Sequence, residues 1–192
     1  HLVWCLPGGV SKGLSAAELS EIKPLVVQLA AFTDFSLQLF RDVVLKNPQY
    51  VDLILHGPYT LNVHSMGLVD ENNAPNFYDG EVRVVDFEGR QICKYTPAEY
   101  KLHIAEHVES WSYLKFPYLK QRGWKGFVEG VGSAIYCAGP LARLNVAERL
   151  ATPRAQVAFE EMFATLGGKP CKALLANHWA RLVEMVQNVE ML

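Results

Sequence analysis

The chain has 192 residues, half of them hydrophobic and 20% charged, with a formal net charge of -2 when His is neutral. That composition suits one packed domain or a segment of one. It offers no basic excess for nucleic acid and no polybasic run for an anionic membrane surface. No apolar run reaches the roughly 18–20 residues of a membrane span, no signal peptide is visible, and a cytoplasmic protein is expected.

Cys5, Cys93, Cys137 and Cys171 stand far apart, with no C-x-x-C pair. Reduced, partly buried thiols are expected rather than a disulfide framework. The chain opens on His1 and stops at Leu192 inside a helical run, so both ends read as cut.

In chain order, Leu6-Pro7-Gly8-Gly9-Val10 is a turn. Ser15-Ala16-Ala17-Glu18 is a capping box, opening a helix to about Lys46 whose apolar positions follow the 3.6 period. Pro24 is expected to kink or split it. Asn47-Pro48 ends that helix and opens a short one to about Leu55. Residues 59–69 read as extended. Phe77-Tyr78, Asp79-Gly80 and Glu81–Val85 read as strand, tight turn and strand. Phe87–Arg90 is a turn before a strand near Ile92.

Thr96-Pro97-Ala98-Glu99 is a second capping box, from which a helix is expected to about Val108. Residues 110–128 carry six aromatic rings around Pro117 and Gly123 and read as an ordered loop packed by its own rings. A short strand is expected at Ile135–Cys137. Helices are expected at Pro140–Arg149, Thr152–Leu166 and from near Cys171 onward, with a break at Gly167–Pro170. The fold class is therefore mainly α with a small antiparallel β insertion. There are no repeats.

The sharpest local motif is His103-Ile104-Ala105-Glu106-His107, an H-x-x-E-H pattern. On a helix, residues four apart share a face, so His103 and His107 would reach one Zn²⁺ with Glu106 as general base. Glu184 is the downstream third ligand such a zinc-dependent peptidase of inverted-zincin type needs. The competing reading is a solvated or capping histidine pair on an amphipathic helix.

Gly8-Gly9 and Gly126–Gly132 lack a phosphate-binding pattern, and Glu129 inside the second would repel phosphate. Ser110, Ser112 and Ser133 lack the G-x-S-x-G elbow. Cys137 reads as structural. Lys115, Lys120, Arg122 and Lys125 around Trp124 read as a wet surface. A metal-free binding module is a third reading of the chain.

Several stretches together resemble the [NiFe]-hydrogenase large (alpha) subunit. They are Val63–Asp70, Asn76–Gly80, Ile104–Glu109, Trp111–Tyr118, Gly139–Asn145 and His178–Arg181, with Pro7–Val10 at the start. The nearest branch is the cytosolic, bidirectional one. The resemblance implies a central segment of a single large-subunit domain, residues 1–192, with a helical-bundle scaffold. It implies a nickel-dependent parent that interconverts H₂ with protons and electrons at a Ni–Fe centre.

That centre's ligands, two C-x-x-C motifs, would lie outside this chain. The segment alone is expected to hold no cofactor, no metal ligand and no catalytic residue, and to be inactive. The implied partners are an iron–sulfur small subunit together with electron-transfer subunits, without nucleic acid. His1 matches a position that tends to lie near the small subunit. Arg143, His178 and Arg181 are expected to cap helices or sit in the core. The family pattern carries Arg-Val before Gly-Pro-Leu-Ala-Arg; Cys137-Ala138 stands there instead and removes a hydrogen-bond donor.

Overall fold

The structure is a computed structural model that describes residues 13–76 and 78–192. The readings at His1, Cys5, Pro7–Val10 and Phe77 lie outside the described residues. Helix α1 runs Ala16–Phe40. Ser15 caps it as expected: its hydroxyl accepts from the Glu18 amide at 3.3 Å, and the Glu18 carboxylate accepts from the Ser15 amide at 2.8 Å. Pro24 neither kinks nor splits the helix, contrary to expectation. It is exposed, so its ring points to water. The wide turn comes later, at Arg41–Leu45, where the Lys46 amide reaches back to the Arg41 carbonyl. Helix α2, Pro48–His56, starts on the Asn47 side chain.

Strands β1 (His64–Val69), β2 (Glu81–Val85), β3 (Gln91–Tyr95) and β6 (Tyr136–Cys137) form one sheet in the order β3-β2-β1-β6. The first three are antiparallel neighbours, but β6 runs parallel to β1, with His64 opposite Tyr136 and Ser65 opposite Cys137. Strands β4 (Ile104–Val108) and β5 (Lys115–Leu119) form a separate antiparallel hairpin. Four further helices are α3 (Tyr100–His103), α4 (Pro140–Val146), α5 (Pro153–Thr165) and α6 (Asn177–Glu190).

The expected mainly α class is therefore corrected to a mixed α/β one. The sheet is mixed, not a small antiparallel insertion, and its central strand is covered on both faces. Strand β1 is buried at every position but Leu68, the mark of a central strand covered on both sides. Met66 and Val84 pack with Tyr95, Ile104 and Leu119 on the hairpin side. Val69 and Val85 pack with Val146 of α4 on the other. A Cβ at Gly67 would come within 2.7 Å of Val146 Cγ2 and 3.2 Å of Arg143 Cα. Glycine is what lets α4 lie this close to the sheet.

The helix expected from Thr96 to Val108 is also corrected. The capping box forms, but it opens only a 3₁₀ turn and the single turn of α3 before the chain extends at Ile104. Strand pairing wins because it sets Ile104 opposite Leu119 in the core, Ala105 opposite Tyr118 and His107 opposite Phe116.

The larger core joins α1, α4, α5 and α6 around Trp179, Leu144, Met162 and Val183. Trp179 is 1% exposed, and its ring lies 5.2 Å from that of Phe40. The exchange Trp179→Ala is expected to cost about 3–5 kcal/mol through lost transfer energy and an unfilled cavity. A urea unfolding midpoint close to that of the unmodified chain would contradict this packing.

Candidate functional site

The H-x-x-E-H residues are not assembled. His103 ends α3 and stacks on Tyr95, ring centroids 3.9 Å apart. His107 lies in β4, stacks on Trp124 at 4.5 Å, and pairs with Glu109 at 3.3 Å. Glu106 faces solvent and pairs with Lys115 at 3.1 Å. Glu184 is held on α6 by Arg143 in a two-pronged pair at 2.6 Å per bond. The zinc-dependent peptidase reading is thereby corrected: the chain extends from Ile104 at about 3.3 Å per residue, so His103 and His107 are spread along it instead of lying one helical turn apart.

Of the three residues expected to cap or pack, Arg143 alone does so. It also donates to the Ala138 carbonyl at 2.8 Å. His178 and Arg181 are exposed on α6.

A cleft of about 160 Å³ opens where β1 and β6 meet the start of α4. Ser65, Cys137, Asn145, Cys171 and Asn177 give it a polar and sulfur-bearing lining, and Leu61, Val63 and Phe87 are among its apolar walls. Its polar groups are occupied by the fold. Asn145 grips the Cys171 backbone from both sides, accepting from its amide at 2.9 Å and donating to its carbonyl at 2.8 Å. Asn177 accepts from the Leu141 amide at 3.0 Å and so caps α4. Burial pushes the thiols of both Cys137 and Cys171 up, which keeps them protonated. Cys93, on β3, is pushed up for the same reason.

Two further titratable groups, one buried and one with only its amine tucked in, were not singled out by the sequence. His64 is 1% exposed; its Nε2 lies 3.0 Å from the Ser133 carbonyl, and its Nδ1 has no partner among the described residues. Burial holds its pKa below the ordinary value, and it stays neutral. Lys169 bonds the Ala147 carbonyl and sits over Phe159 and Phe163, 5.2 and 5.4 Å from the ring centroids. Its pKa is lowered to about 8, first by burial and then by Arg83, against the pull of Glu148.

No family model matches the chain. It is 41% identical over 190 residues to an F420-non-reducing hydrogenase iron-sulfur subunit of Archaeoglobus profundus, covering 99% of the chain and 39% of that relative. It is 34% identical to the NAD-reducing hydrogenase HoxS subunit beta of Cupriavidus necator, covering 99% of the chain and 38% of that relative. The chain is similar along nearly its whole length to hydrogenase subunits. Its fold superposes on a crystal structure of an NAD⁺-reducing [NiFe]-hydrogenase in the H₂-reduced state. The TM-score is 0.81 at 28% identity, covering 96% of the chain and 39% of that structure's chain. The chain thus spans about two fifths of the length of these relatives.

The large (alpha) subunit expectation is corrected by these names, which are those of an iron–sulfur subunit in one case and of a beta subunit in the other. The nickel-bearing function that went with it is corrected too, leaving similarity to hydrogenase subunits as the supported statement. The physical reason is that the resemblance rests on scaffold stretches. No ligand motif in the segment could tell one subunit type from another.

One relative's name implies an iron–sulfur group. Such clusters take about four thiolates at close spacing. Cys93 and Cys137 lie on different strands, Cys171 lies in a loop, and all three thiols are held protonated. Among the described residues no group of three or more His, Cys, Asp or Glu is placed to hold a metal. The described residues do not fit a cluster. No helix among them is long and apolar enough to cross a membrane.

Lys169 gives a pH signature. The folded chain releases this proton near pH 8, while the unfolded chain keeps it to the ordinary value of 10.5. Between those values the unfolded state binds more protons, so this group's contribution makes stability rise with pH; below about 8 its full penalty is present. Urea midpoints compared from about pH 7 to 10 should show that rise in the native chain and a flatter profile in Lys169→Met. Parallel profiles would show the amine to be ordinary.

Proposed function

We propose that the chain is an α/β scaffold segment of a hydrogenase subunit, working within a cytoplasmic complex that exchanges electrons between H₂ and a soluble acceptor. The observation that carries this is similarity along 99% of the chain to two hydrogenase subunits of different organisms, supported by the fold match. Oxidation of each H₂ gives two protons and two electrons, and none of the described side chains is arranged to perform that step. The segment's contribution is mechanical: a sheet clamped between α4 and the hairpin, joined to a helical core. Any iron–sulfur ligand set belongs outside the described residues, and the partners are the other subunits of the same hydrogenase.

The test uses the parent reading frame, expressed without oxygen together with the subunits that copurify with it. H₂-dependent reduction of benzyl viologen is the expected result. The exchange Gly67→Val should abolish it by forcing α4 off the sheet, and the complex should then fail to assemble. An intact, assembled preparation that reduces no dye under H₂ would overturn the reading.

A further inference from the structure

The β4–β5 hairpin covers the sheet with its inner side and leaves a ring-bearing face outside. Five aromatic residues run together there. Phe116 and Phe127 meet edge-on at 5.0 Å, as do Trp124 and Phe127 at 5.4 Å. Trp111 leans on Phe116 at 5.7 Å, and Tyr118 on Trp124 at 5.6 Å. Trp111 and Phe127 remain 69% and 54% exposed. A contiguous exposed aromatic patch of this kind is rare on a free surface and common at the centre of protein interfaces.

The loop that carries Trp124 and Phe127 is held in shape. Gly123, Gly126 and Gly130 take positive φ values of 69°, 78° and 76°, which any side chain would strain. Its far end is tied down where Gly130 donates to the Asn62 carbonyl at 2.8 Å and Glu129 accepts from the Asn62 amide at 2.8 Å. The Leu119 amide bonds the Ala134 carbonyl at 2.8 Å at its base. A preformed surface loses little freedom on binding.

The charge around the rings leans positive, with Lys101, Lys115, Lys120, Arg122 and Lys125 against Glu106, Glu109 and Glu129. Lys101, Lys120, Arg122 and Lys125 are exposed, and none forms an ion pair among the described residues. Of the acids nearby, Glu106 pairs with Lys115 and Glu109 with His107, while Glu129 accepts only from the neutral Asn62 amide and keeps its charge. The chain as a whole carries -2, so this local excess is a feature of the patch.

We propose that the ring-bearing face of the β4–β5 hairpin docks an acidic protein surface of another subunit of the same hydrogenase. Trp111 and Phe127 are the apolar anchors, and Lys120, Arg122 and Lys125 the complementary rim. This rests on the reading of the chain as part of a hydrogenase subunit. The arrangement favours protein over nucleic acid: the stacked faces of Trp124 are spent on His107 and Phe116, and the exposed Trp111 and Phe127 are tilted at 47° to each other, so they offer no row of parallel faces for successive bases.

The experiment uses the parent subunit with the subunits that copurify with it, and reads their association by mass photometry and by binding kinetics at low and high salt. The double exchange Arg122→Glu/Lys125→Glu touches only exposed groups. It should slow association about tenfold at low salt and flatten the salt response. Trp111→Ser should speed dissociation about tenfold or more, with the rim's salt response kept. Circular dichroism of each variant guards against misfolding, and the charge variant alone decides if the serine variant unfolds. Unchanged kinetics in the charge variant would overturn the proposal. So would a parent subunit that purifies alone, a homodimer lost in the variants, or tight binding of single-stranded oligonucleotide lost in them. Viologen reduction is measured on the same samples: its absence from an assembled complex that still responds to the variants would sink the hydrogenase reading and spare the interface.

Discussion

Strand β1 sits where every other layer needs it to be narrow on one side and apolar on the other. Gly67 lets α4 approach to the distance at which Val146 would collide with any Cβ. One residue earlier, Met66 turns to the opposite face and enters the cluster with Leu119 and Ile104. The alternation of a strand makes this possible within two residues. Because both faces are closed, β1 cannot slip register by one position without burying the wrong side chains in both layers.

Three polar side chains that enter this core, Arg83, Asn145 and Arg143, are each held by more than one bond. Arg83, on β2, donates to the Val146 carbonyl at 2.5 Å, Glu148 at 2.7 Å and Gln91 at 2.9 Å. It thereby ties the end of α4 to the sheet. Asn145 ties α4 to the loop at Cys171, and Arg143 ties it to α6 through Glu184. Helix α4 is two turns long and would be marginal alone. These three residues give it fixed neighbours on every side. Removing one partner of such a buried bond leaves the other unsatisfied, which costs more than the bond contributes.

Local signals in the sequence match the structure where local physics decides it. Ser15 with Glu18, Asn47 with Pro48, and Thr152 with Pro153 mark helix starts that the structure keeps. Thr96 with Glu99 marks a real cap as well, yet the helix stops within two turns. A cap fixes where a helix begins, while its length is set by what the following residues can bury. Ile104 finds Leu119 only by extending. No short-range pattern announces that distant partner, so the H-x-x-E-H motif looks helical in sequence and is not. The parallel pairing of β6 with β1 is equally remote, joining residues separated by the β2–β3 and β4–β5 hairpins and helix α3.

The candidate site was less legible than the fold because it is made of frame rather than chemistry. A reactive centre leaves a signature in residue type and spacing; a docking face leaves one only in what remains exposed after folding. Trp111 and Phe127 read in sequence as rings that pack a loop, and they do pack it. Only the geometry shows that the packing is one-sided, with the inner edge of the cluster spent on the hairpin and the outer edge open. The basic residues gain meaning in the same way. Lys115 is neutralised by Glu106 across the hairpin, whereas Lys125 and Arg122, a few residues further on, form no ion pair among the described residues. Apolar surface that stays open to water carries a cost that a partner would relieve, whereas the solvated charge beside it carries none and would act by steering and orienting a partner of opposite sign.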